Sequence, residues 1–135
     1  MPHIEPSIIA LAAAYVEALC SKEKAALQQA SSEVLDLCMD GPWDQLWQLV
    51  QALALLPDES DPVVLATIAA GPLEDLLAKA GPEYIAAVED LARSTPRAAR
   101  MLTGVWPSSI EPAVWDRVVT FCRTVPNPLD GIYAY

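Results

Sequence analysis

Apolar residues recur along this chain at intervals of three and four positions, which gathers them on one face of an α-helix. Trp43, Leu46, Trp47, Val50, Leu53 and Ala54 follow that rule, with Asp44, Gln45, Gln48 and Gln51 on the other face. Tyr84, Ile85, Val88, Leu91 and Ala92 repeat it, and so do Val114, Trp115, Val118 and Cys122. Upstream, Ile8, Leu11, Ala12, Tyr15 and Leu19 mark one helix. Leu27, Ala30, Val34, Leu37 and Cys38 mark a second, with Ser31-Ser32 as a point of interruption. No stretch alternates with period two, and no Asn-Gly hairpin signal occurs. The pattern predicts an all-α fold.

Six prolines punctuate the helices. Pro42, Pro62, Pro72, Pro82, Pro96 and Pro112 each follow Gly, Asp, Thr or Glu and precede a helical stretch. Proline suits a first helical position, where its missing N–H forfeits no bond and its φ is already set. Gly41, Gly71 and Gly81 are placed to close the preceding helix in a left-handed conformation. Asp61 and Thr95 are placed as N-caps, with Glu111 a poorer one. The expected helices are 7–20, 22–40, 43–56, 62–70, 72–80, 82–94, 96–103 and 112–124. About eight short helices with abrupt corners predict a compact stack of helical pairs, HEAT-like or an irregular orthogonal bundle. The chain reads as a single helical domain over 1–135 with a non-helical tail at 126–135. There Pro126, Pro128 and Asp130-Gly131 break the helix, while Ile132, Tyr133 and Tyr135 favour docking onto the stack.

Composition adds a frame. Hydrophobic residues make up 53% of the chain and charged residues 19%, the makeup of a folded domain. The longest mostly apolar runs, 8–16 and 63–70, fall short of the roughly 20 residues of a membrane-spanning helix. No basic patch precedes an apolar stretch at the N-terminus, so no signal peptide is expected. Cys20, Cys38 and Cys122 lie in apolar helical surroundings and read as buried thiols in a reducing, cytoplasmic compartment.

Charge changes the picture more. The net charge is −10, and residues 25–78 hold nine carboxylates without a single Lys or Arg. These are Glu33, Asp36, Asp40, Asp44, Asp58, Glu59, Asp61, Glu74 and Asp75, while the flanks nearly balance. Such a surface repels nucleic acid and anionic membrane and attracts a basic protein partner.

Catalytic templates are scarce. The only histidine, His3, lies at the terminus, so a His-dependent triad or a His-rich metal site has no histidine in the folded body. The glycines form no phosphate loop, and Asp58-Glu59-Ser60-Asp61 lacks calcium-loop spacing. No cofactor or metal is implied. Glu74-Asp75 and Glu89-Asp90 are adjacent pairs whose members diverge by about 100° around a helix, so neither forms a convergent acid–base dyad. Both read as solvated helix faces, with Asp75 in reach of Lys79 and Glu89 of Arg93.

Glu33, Asp36 and Asp40 stand out. Their i, i+3, i+7 spacing puts them on one helix face with no cation within a turn. Asp40 also meets the negative end of the helix dipole, at a cost of ~0.3–1 kcal/mol. Stability alone would not select this arrangement. Trp43 and Trp47 read as core. Trp106, in the Gly104-Val105-Trp106-Pro107 corner, either plugs the stack or faces a partner. Arg93, Arg97 and Arg100 gather at a helix junction, to neutralise helix C-termini or to bind an anion.

The segment Gly71-Pro72-Leu73-Glu74-Asp75-Leu76-Leu77, then Gly104-Val105-Trp106 and Val114-Trp115-x-Arg117-Val118, resembles a family of small bacterial all-helical domains of unknown function. The resemblance covers roughly residues 43–123. It implies an all-helical domain with no established activity, and a shared centre at Gly71-Pro72, Glu74, Asp75 and Trp106. Arg97-Ala98-Ala99-Arg100 departs from it, since an aromatic is expected near the third position.

Three functions follow as expectations. The first is a non-enzymatic acidic binding module, an immunity protein that neutralises a basic toxin such as a nuclease. It would bind through Glu33, Asp36, Asp40, Asp58, Glu59 and Asp61, with Glu74, Asp75 and Trp106 as a second patch. The second is an adaptor that holds a peptide or subunit in an apolar groove. The third is a small enzyme using Glu74 or Asp75 with Arg97 or Arg100, which requires a carboxylate of raised pKa in a closed pocket.

Overall fold

The computed structural model describes residues 3–20, 24–56, 62–107 and 109–129, with backbone alone for 24–27. All regular structure among the described residues is helical: α1 (Pro6–Cys20), α2 (Lys24–Asp40), α3 (Trp43–Leu55), α4 (Pro62–Ile68), a π-helical turn (Ala69–Leu73), α5 (Glu74–Ser94), α6 (Pro96–Leu102) and α7 (Pro112–Cys122). The all-α expectation holds.

Helix α3 is the axis of the fold. It touches α1, α2, α5, α6 and the π turn, and Leu46, Leu49, Val50, Ala52, Leu53 and Ala54 are all buried. A helix packed on nearly every side has little room for a polar face. Its expected polar side is covered in part: Asp44 stays exposed, while Gln51 is buried and Gln48 Oε1 accepts the Glu5 N–H at 2.8 Å. Trp43 and Trp47 pack against the core as expected, and the Trp47 ring lies 6.0 Å from that of Tyr84.

The three glycine corners behave differently. Gly41 has φ +76° and precedes a cis bond to Pro42, and its N–H donates to the Leu37 carbonyl at 3.0 Å, closing α2. An added Cβ there would sit 2.9 Å from the Trp43 amide nitrogen. Gly41→Ala is therefore expected to cost about 1–2 kcal/mol, from the left-handed backbone alone. The urea midpoint measures it.

Gly71 and Gly81 do not end helices, which corrects the expectation of left-handed caps. At Gly71-Pro72 the chain widens into the π turn and continues. A π bulge absorbs the residue that cannot donate. At Gly81-Pro82 a single residue, Ala80 (φ −141°, ψ 27°), leaves helical geometry, so 74–94 is one kinked rod rather than two helices. Gly81 is kept small by Val114 of α7, whose Cγ1 would lie 3.1 Å from an added Cβ. Prolines 96 and 112 do open helices. Thr95 and Glu111 precede them without a side-chain cap bond, so the proline sets each start.

One further expectation changes. Cys38 and Cys122 are buried but Cys20 is exposed. The inward stripe of α1 runs through Ile8, Ala12, Tyr15 and Ala18, and Cys20 lies about 200° around the helix from Ala18. The segment after α7 docks as far as it is described. Leu129 is buried, its N–H donates to Thr103 Oγ1 at 2.9 Å, and Arg100 Nε donates to the Asn127 carbonyl at 3.1 Å. Asp130, Gly131, Ile132, Tyr133, Ala134 and Tyr135 lie outside the described residues.

Candidate functional site

Helix α2 turns Ala30, Val34 and Cys38 to the core. That fixes its outer face by geometry. Glu33, Asp36 and Asp40 all lie on it, exposed as the spacing requires. Beside them stand Leu35 and Met39, 57% and 58% exposed. They are large apolar side chains one helical turn apart, facing water alongside the acids. Leu35 and Met39 were legible as apolar residues off the Ala30/Val34/Cys38 stripe, and sequence reasoning passed over them.

The C-terminal end of this helix is not left uncompensated. Lys79 of α5 donates its ammonium to the Cys38 carbonyl. It lies 3.8 Å from Met39 Sδ and 5.9 Å from the Trp43 ring centroid. A cation on the last carbonyls satisfies orphan acceptors and offsets the dipole at the Asp40 end. Lys79 thus serves α2 across the fold, rather than only its neighbour Asp75.

Glu74 and Asp75 point apart, and each makes an internal contact. Glu74 Oε1 accepts the Trp106 N–H at 2.9 Å, tying α5 to the corner that carries the indole. Asp75 accepts from the Cys38 thiol, tying α5 to α2. Burial and the Asp75 carboxylate push that thiol up to about 12, with Lys79 opposing. Glu74 is itself raised from its ordinary value, mainly by burial, with the Trp106 N–H pulling the other way and Asp75 adding to the rise. A carboxyl raised on folding favours the folded state when protonated, and that contribution is lost as pH rises through the folded pKa. Glu74→Gln keeps an acceptor for the Trp106 N–H without the charge. It should flatten the pH dependence of stability just above the ordinary glutamate value of 4.5, read from urea midpoints across that range.

Arg97 and Arg100 are drawn elsewhere. Arg97 Nε donates to the Leu53 carbonyl at 3.0 Å, meeting the C-terminal end of α3, and Arg100 reaches Asn127. The contacts shown for these arginines do not bring Glu74 or Asp75 to them. Glu89 corrects the reading of a solvated pair: it is buried and bound by Arg117 of α7 through two nitrogens, Nε at 3.2 Å. Arg93 instead pairs with Asp90 at 2.9 Å. The signal for Glu89 was its place four residues after Ile85, on the inward stripe.

Clefts open on the surface among the described residues. One, of about 650 Å³, lies between α5 and α7 and holds the Glu89–Arg117 pair beside Phe121 and Val125. Another, of about 640 Å³, is lined by Tyr15, Pro62, Val63, Ala66, Thr67, Ala70, Gly71, Gly104 and Trp106. Asp58, Glu59 and Asp61, expected to extend the acidic patch, lie outside the described residues. Among the described residues no His/Cys/Asp/Glu group is arranged to hold a metal ion, and no helix is long and apolar enough to cross a membrane. A family model, described as a family of unknown function (DUF6869), matches residues 18–125. No curated protein and no solved structure matches the chain.

Proposed function

The chain belongs to this family of unknown function, and on its own geometry we propose that it is a non-enzymatic binding module whose α2 face docks a basic protein. One observation carries the reading: Glu33, Asp36 and Asp40 lie beside the exposed Leu35 and Met39 on the outer face of one helix. Carboxylates steer a cationic partner in and fix its register, while the apolar pair supplies the desolvated contact that holds it. The partner class that fits is a toxin with a phosphate-gripping, basic cleft, such as a nuclease, and the role is that of an immunity protein. Neither nucleic acid nor an anionic membrane suits a face of this sign. In this reading Asp75 braces the surface from behind, through the Cys38 thiol.

Capture from the native host at low and high salt tests it. The expected result is a basic protein retained at low salt, released at high salt, and lost with Leu35→Ser/Met39→Ser. A partner indifferent to salt and to both substitutions would refute the reading and favour an adaptor that grips through an apolar groove.

A further inference from the structure

We infer that Met39 is a modification site: hydrogen peroxide oxidises its thioether to the sulfoxide, and Lys79 holds the new oxygen. The consequence for binding rests on the function proposed above, because Met39 is half of the apolar pair on that face. Exposure and chemistry together select this sulfur. Met39 is 58% exposed, whereas Met101 is fully buried. The neighbouring thiol does not compete, since Cys38 is buried and pushed up to about 12, which keeps it protonated and unreactive. Burial holds Cys122 in the same state. Cys20, exposed at the end of α1, lies on another helix.

Lys79 gives the site its direction. Its ammonium donates to the Cys38 carbonyl and reaches Met39 Sδ at 3.8 Å. In the oxidation the sulfur lone pair attacks one peroxide oxygen, forming the S–O bond as the O–O bond breaks. Sulfur gives up two electrons. The peroxide takes them and leaves as water, carrying off the proton of the transferred hydroxyl. A thioether sulfur is a weak acceptor, while the sulfoxide oxygen is a strong one beside a cation. An ammonium has three donors, so Lys79 takes that oxygen and keeps the carbonyl that closes α2. The fold is left intact, but a polar side chain tied toward Lys79 replaces one that was apolar and faced water. Glu33, Asp36 and Asp40 still steer the partner in, and the weakened apolar contact releases it sooner.

Hydrogen peroxide on the full chain provides the test. Peptide mass mapping should find one added oxygen at Met39 roughly tenfold sooner than at Met101, with the thermal melt unchanged. The Lys79 side-chain NMR signals should shift when wild type is oxidised and stay in place in treated Met39→Leu, a swap of similar volume at an exposed position. Oxidised wild type should bind the captured basic protein roughly tenfold more weakly, through faster dissociation. A methionine sulfoxide reductase should restore the affinity, and Met39→Leu should bind equally before and after peroxide. The inference falls if Met39 and Met101 oxidise alike, if Lys79 does not respond, if oxidation leaves affinity unchanged, or if treated Met39→Leu loses affinity as wild type does. Should untreated protein capture no basic partner, the reading of the α2 face fails instead, and the mass map and Lys79 signals still decide the modification.

Discussion

Leu53→Ala should destabilise the protein by about 2–5 kcal/mol, the range for removing a buried leucine that its surroundings cannot collapse around. Leu53 is fully buried, and α3 is hemmed by α1, α2, α5, α6 and the π turn. Elements held on several sides relax little, so the cavity persists. Leu55, two residues on, is 49% exposed, and its replacement by alanine should stay within about 0.5 kcal/mol. Urea unfolding of the two variants measures the contrast. Equal losses would mean that α3 is not the axis of the core.

Glu33→Gln/Asp36→Asn/Asp40→Asn should slow association with the basic partner roughly ten- to hundredfold at low salt, within the range that electrostatic steering contributes. Dissociation should change less, because Leu35 and Met39 remain. The fold should not suffer. Like charges one turn apart cost roughly 0.2–0.5 kcal/mol per pair, and neutralising them removes that cost. The variant should therefore be at least as stable as wild type by thermal melt. A gain in stability alongside a loss in association rate would identify the acids as residues kept for a partner.

Much of the architecture was legible because proline and glycine act locally. The starts of α3, α4, α6 and α7 fall at or next to Pro42, Pro62, Pro96 and Pro112, where the ring's fixed φ determines the outcome without help from the rest of the fold. Gly41 was equally legible, since a left-handed corner before α3 needs glycine. Gly71 and Gly81 show the limit. The same Gly-Pro dipeptide remains helical when neighbouring elements hold the chain straight, through a π turn in one case and a kink in the other. Local chemistry permits both results.

The candidate surface divides along the same line. Helical spacing alone set Glu33, Asp36 and Asp40 on one exposed face. What compensates the helix end beside Asp40 was not visible, because Lys79 reaches the Cys38 carbonyl across 41 positions of sequence. The Glu74 bond to Trp106 spans 32 positions and joins Glu89 to the same class, whose Arg117 lies 28 away. Glu74 and Glu89, read as solvated, become braces once a distant part of the chain packs against them. Gln51 is the converse, a polar residue placed outward by periodicity and enclosed by packing.

The central claim is that the outer face of α2 recruits its partner by charge. Stopped-flow association of wild type and the triple neutral variant with the captured partner, over a range of salt concentrations, tests it most directly. Wild type should associate fast at low salt and slow steeply as salt rises, while the variant should be slow and nearly flat. Two superimposable salt curves would contradict the account.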